Sequence, residues 1–130
     1  MLSRGRAKYH DVNNVSSVNG RSPIELVILV YDRIADKLLM AEAAIANNQR
    51  AALGEAVQQA IDLIEQGLAA ALDYEQGGDI SVNLGLVYDY SVRRLLHANL
   101  WRDVEAVREV GRLLAEMREG WDAIRRGGLV

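Results

Sequence analysis

Apolar residues return at three- and four-residue steps over most of the chain after residue 21, and this spacing predicts helices and no strands. The first helix shows a seam of Val27, Tyr31, Ile34, Leu38, Ala41 and Ile45. The second shows Leu53, Val57, Ala60, Ile64, Leu68 and Ala71, and the fourth shows Val107, Val110, Leu114, Met117, Trp121 and Ile124. The third carries Ile80, Leu84, Val87, Tyr88, Ser91, Leu95 and Ala98 on one face. It also carries a second line through Val82, Leu86, Tyr90 and Trp101, interleaved with Asn83, Arg93, Arg94 and His97. One stripe suffices to hold a helix in a small bundle, so the second asks for a partner.

Start and stop signals divide the pattern. Ser22, Pro23 and Glu25 form a helix start, with serine as N-cap, proline in the first turn and glutamate three residues after the cap. Asn47-Asn48 and Gly77-Gly78 read as stops, and Asp79 and Asp103 as caps of the third and fourth helices. The expected organisation is a flexible polar segment over 1–21 and a bundle over 22–127. Its helices run at about 23–46, 49–74, 80–100 and 104–126, roughly 30 to 39 Å each at the α-helical rise. Matched helices joined by short links predict an all-α, antiparallel up-down four-helix bundle. Gly67, Gly85 and Gly111 read as places of close helix approach.

The first helix repeats the surplus of the third. Its charges Glu25, Asp32, Arg33, Asp36 and Lys37 share an arc that also holds Leu26, Leu29 and Met40. Contiguous exposed apolar residues mark binding sites or interfaces between copies.

Composition narrows the classes. A chain of 130 residues with net charge −3 and pI near 5.4 is one domain and argues against nucleic acid as main partner. With no cysteine, disulfides and thiol chemistry are out, which fits a reducing compartment. No apolar run approaches a membrane span, and the N-terminus has no secretory apolar core, so a cytoplasmic protein is expected. All aromatic rings are tyrosine or tryptophan, amphipathic groups suited to half-wet surfaces.

Catalytic chemistry finds no constellation. His10 and His97 stand far apart, and neither belongs to a Glu-x-x-His pair, so no metal or other cofactor is expected. A histidine phosphotransfer module is the rival within the same fold. It would place lysine and glycine after its histidine, whereas Ala98, Asn99, Leu100 and Trp101 follow His97. Arg93-Arg94 beside Tyr88, Asp89 and Tyr90 can hold an extended peptide, or can form an ordinary solvated face.

The third helix carries Asn83-Leu84, Val87-Tyr88-Asp89-Tyr90, Arg93-Arg94-Leu95-Leu96, Ala98-Asn99-Leu100 and Asp103. This series resembles the signature of the flagellar secretion chaperone family FliS. Ser22-Pro23, Leu26-Val27 and Val30-Tyr31-Asp32 look like that family's first long helix, and Ala60-Ile61, Ile64-Glu65, Gly67-Leu68 and Leu72-Asp73 like its second. Glu109-Val110 and Trp121 resemble the last helix, and Tyr9 stands where the family keeps an N-terminal tyrosine. Arg33 departs from a small glycine usual in the family.

The resemblance implies a cytoplasmic, non-enzymatic chaperone that binds the C-terminal segment of flagellin, blocks its polymerisation and keeps it ready for type III export. Other flagellar proteins are further expected partners. The expected groove and rim are Tyr9, Val12, Leu26, Leu29, Tyr31, Val82, Asn83, Leu86, Tyr90, Arg93, Asn99 and Trp101. The N-terminal segment, anchored by Tyr9, Val12 and Val15, is expected to cover the empty groove. A self-associating structural bundle, with the surplus stripes forming a homodimer, stands as the other reading.

Overall fold

Ser22 and Glu25 start the first helix by capping each other. The Glu25 N–H donates to Ser22 Oγ at 3.2 Å, and the Ser22 N–H donates to Glu25 Oε1 at 2.8 Å. The computed structural model describes residues 21–127. It consists of four helices: α1, Pro23–Ala46; α2, Arg50–Asp62, extended by a π-helical segment Leu63–Leu68 and a 3₁₀ turn Ala69–Ala71; α3, Tyr74–Trp101; and α4, Val104–Arg126. Around the bundle each helix packs on its two neighbours, α1 and α3 standing diagonally opposite. Links of two or three residues leave consecutive helices no choice but to run antiparallel.

The core follows the predicted seams. Ile34, Leu53, Ile64, Leu95, Val57, Val107 and Val110 are the large side chains most completely removed from water. Burial of this kind supplies the main driving force, about 1.5–3 kcal/mol per large aliphatic side chain. The ends of the seams differ: Ile80 is 70% exposed and Ile124 is 37% exposed, so neither is a core residue. At one end of the bundle two links are tied together. Asn48 and Arg102 both adopt left-handed backbone, and Arg102 Nη1 donates to Asn48 Oδ1 at 2.5 Å.

The second and third helices depart from the expected boundaries. The second is not an unbroken rod to residue 74. Its last turns widen at Leu63–Leu68, where α1 comes so close that a Cβ on Gly67 would sit 3.0 Å from Val30 Cγ1. Ile64 and Leu68 remain buried through this segment, so the apolar period alone does not register it.

Asp73, not Asp79, caps α3, accepting from the N–H groups of Glu75 and Gln76 at 3.1 and 3.0 Å. Gly77-Gly78 is therefore not the end of the second helix. Gly78, at φ 51 and ψ −125, bends α3 after its first turn. The bent turn is held by Ser81 Oγ, which donates to the Asp73 carbonyl at 2.9 Å. It lays Tyr74 over Gly85, where a Cβ would meet Tyr74 Oη at 2.8 Å. The close approach at Gly85 thus admits a ring from the same helix.

Candidate functional site

α3 turns Ser81, Tyr88, Ser91, Leu95 and Ala98 into the bundle. Its opposite side keeps apolar residues in water: Val82 at 48% exposure, Leu86 at 63%, Leu96 at 52% and Leu100 at 71%. At the α-helical pitch these four lie within an arc of about 80°, a strip rather than a scatter. Exposed Tyr90 and, at the C-terminal end, exposed Trp101 line one edge of it.

The edge facing α4 is fixed by a three-group network. Tyr90 Oη donates to Glu109 Oε2 at 2.5 Å, and Arg94 Nε donates to Glu109 Oε1 at 2.7 Å. The Tyr90 hydroxyl, followed by the Arg94 guanidinium, holds the Glu109 carboxyl below its ordinary range, and the same carboxylate pushes the Tyr90 phenol up. The tyrosine ring is thereby anchored by its tip on the neighbouring helix. Within the strip, Arg93 pairs with Asp89 at 3.2 Å, both well exposed, an interaction worth little in water. Of the Arg93-Arg94 pair, only Arg93 has a loosely held partner.

His97 Nε2 lies 3.2 Å from Asp103 Oδ2. Asp103 caps α4 through the N–H groups of Glu105 and Ala106, and the Ala106 bond foremost lowers its carboxyl. His97 is thus joined to a helix cap. Among the described residues no group of acidic, histidine or cysteine side chains could hold a metal ion. No described helix is long and apolar enough to cross a membrane.

Val82, Leu86, Tyr90, Arg93 and Trp101 share this face, with exposed Asn83 beside them. Other expected site residues stand elsewhere. Tyr31 is a core residue, not a groove residue: it is 3% exposed, and its hydroxyl meets those of the core rather than a client. Leu26, at 9% exposure, is likewise covered rather than left over. Leu29 is half-buried and lines a separate, shallow and charged cleft with Arg21, Glu25, Asp32 and Arg118, between α1 and α4. Asn99 is half-buried at α2, its Oδ1 3.8 Å from where a Cβ of Gly54 would lie. Tyr9, Val12 and Val15, with the cover they were expected to form, lie outside the described residues.

Sequence reasoning missed Leu96 and Leu100, which complete the strip. Their signal is in the spacing, since both return to the arc of Leu86 and Val82, whereas the expected line through Tyr90 and Trp101 runs along its edge. On α1, Met40 is exposed as expected, joined by Leu39 rather than by Leu26.

Comparison with known proteins supplies the family. The sequence profile of the family described as "Flagellar protein FliS" matches residues 5–127. The chain is 40% identical over 120 residues to the flagellar secretion chaperone FliS of Salmonella typhimurium, covering 92% of this chain and 89% of the relative. It is 34% identical over 119 residues to the flagellar secretion chaperone FliS of Escherichia coli, covering 92% and 88%. With the flagellar secretion chaperone FliS of Bacillus subtilis it shares 27% identity over 106 residues, 82% and 77% of the two chains. A four-helix bundle with an unspent apolar face and a profile match across nearly its whole length, the chain belongs to the FliS family of flagellar secretion chaperones, proteins that work by binding and not by catalysis.

Proposed function

We propose that this protein holds the C-terminal segment of flagellin in the cytosol, prevents its premature polymerisation and keeps it competent for type III export. The observation that carries this reading is the strip of Val82, Leu86, Leu96 and Leu100, exposed on a helix whose other face is already satisfied by the core. An amphipathic client segment would cover the strip by the groove-binding mode, burying apolar side chains of both partners. Trp101 and the anchored Tyr90 ring supply large contact area at little entropic cost. Asn83 and Arg93 supply polar contacts at the rim, Arg93 exchanging a weak surface pair with Asp89 for a client carboxylate. Sequestration needs no covalent step and no cofactor, and release requires only that a competing surface take the client.

Calorimetric titration with about the last forty residues of a cognate flagellin tests the reading. Binding with a negative heat-capacity change, the mark of apolar burial, is the expected result. Absence of binding at high micromolar concentration would dispose of it. Tyr9 and Val12 keep their place as candidates: removing residues 1–20 should alter client affinity, and an unchanged dissociation constant takes them out of the site.

A further inference from the structure

The bent first turn of α3 contributes no core side chain: none of residues 73–80 is buried. Adjacent glycines articulate it. Gly78 holds the non-helical φ and ψ, and a Cβ on Gly77 would collide with Ser81 Oγ. The turn is tied down by the Ser81 bond to the Asp73 carbonyl and by the Tyr74 ring lying over Gly85. That ring stays exposed, and its hydroxyl, unlike that of Tyr90, has no hydrogen-bond partner among the described residues. A segment with so few buried contacts opens locally at small cost.

The seat of the ring adjoins the apolar strip. At about 100° per residue, Gly85 falls about 20° outside the arc of Val82, Leu86, Leu96 and Leu100, on the side where Leu72 follows the end of the second helix. Tyr90 borders the opposite side, fixed to α4 by Glu109. The strip therefore runs between a fixed ring and a movable one. Beneath the movable ring is a notch that has no Cβ in its floor and has Leu72 Cδ1 in its wall, 3.6 Å from where that Cβ would lie. With the ring lifted, this apolar hollow suits one aliphatic side chain.

We propose that Tyr74 fills the Gly85 notch in the free protein, and that a bound client swings the ring away on the Gly77-Gly78 hinge and puts an aliphatic side chain in its place. The device rests on the functional reading above and adds to it an autoinhibitory contact within the bundle. Apparent affinity for the client falls in proportion to the time the notch is closed.

Titration of the cognate flagellin segment into the full chain and two variants tests the proposal. Tyr74→Ala empties the notch and should tighten binding about threefold or more, approaching about tenfold for a ring seated nine-tenths of the time. Gly85→Leu breaks the same contact but fills the notch with a side chain of its own, and should weaken binding about threefold or more. A merely structural contact would move both variants in the same direction, since each destroys it. Circular dichroism and urea melts check that the helices and core persist. In the parent, nuclear Overhauser contacts between the Tyr74 ring and Gly85 should be present in the free protein and vanish in the complex. Tyr74→Ala binding no tighter than the parent, Gly85→Leu binding as well as the parent, or a ring still seated on Gly85 in the complex overturns the proposal and leaves the functional reading intact. Absence of binding by the parent and by Tyr74→Ala alike defeats the functional reading and this device with it.

Discussion

The hydroxyl oxygens of Tyr31 on α1 and Tyr88 on α3 lie 2.6 Å apart inside the core, joining the two helices that stand diagonally across the bundle. Trp121 Nε1 on α4 donates to Tyr31 Oη at 3.3 Å, so three helices share one polar knot. Burial pushes both phenols up, and they stay protonated at any pH the protein meets. Apolar seams slide past one another at small cost, whereas buried hydroxyls must find each other. Tyr88→Phe should therefore cost about 1–2 kcal/mol in urea denaturation, and Tyr31→Phe more, because it strands Trp121 as well. A double-mutant cycle should return a coupling of about 1 kcal/mol.

Binding and stability should separate on α3. Leu86→Asp and Leu100→Asp place a charge on a side chain already in water, and should move the unfolding free energy by no more than about 0.5 kcal/mol. The same changes should weaken flagellin-segment binding about tenfold or more by calorimetry. Leu26→Ala, at a covered position, should do the reverse, lowering stability while leaving client affinity nearly unchanged.

Acid should unlock the α3–α4 edge. Glu109 is held below its ordinary value of 4.5, first by Tyr90 and then by Arg94. A carboxyl whose pKa is lowered by folding contributes stability that is complete above its unfolded value and is lost as pH falls through the folded one. The melting temperature should therefore drop below about pH 4.5 with a steeper slope in the parent than in Glu109→Gln. Equal slopes in thermal melts from pH 7 to pH 3 would show that the network does not couple to folding.

Ser91 sits fully buried on the inner face of α3, and its Oγ finds no hydrogen-bond partner. A buried hydroxyl without a partner costs about 1–3 kcal/mol relative to one in water. Ser91→Ala, which also favours helix, should stabilise the fold by about 1 kcal/mol, read as a higher urea midpoint at unchanged slope.

Gly78 holds a backbone conformation that side-chain-bearing residues rarely adopt. Nothing lies within 4 Å of the place a Cβ would take, so crowding does not enter. Gly78→Ala should cost about 1–3 kcal/mol through backbone strain alone. It should also loosen the Tyr74 ring from its seat on Gly85, visible as a change in near-ultraviolet dichroism.

The legible part of this protein is whatever short-range energy decides. Ser22-Pro23-Ile24-Glu25 is a helix start in any context, because cap and glutamate satisfy each other within four residues. Asn47-Asn48 and Asp103 mark ends for the same local reason, and a period near 3.6 forces each rod to bury a seam such as Ile34–Leu38 or Val107–Val110–Leu114. Those choices suffice for a bundle of four antiparallel helices.

Tertiary structure decided what local energies leave degenerate. Asp73 and Asp79 are equally good caps on paper, and only the bend at Gly78 with the Ser81 bond selects the first. The widened turn at Leu63–Leu68 lies where α1 approaches at Val30, a contact between helices that no local pattern registers. Tyr31 looked amphipathic enough for a rim until Tyr88 and Trp121 took its hydroxyl. On α1 and α3 alike, periodicity shows that two apolar sets exist but not which one a neighbour covers. Leu26 was hidden while Leu96 and Leu100 stayed in water, because coverage depends on where other helices stand in space.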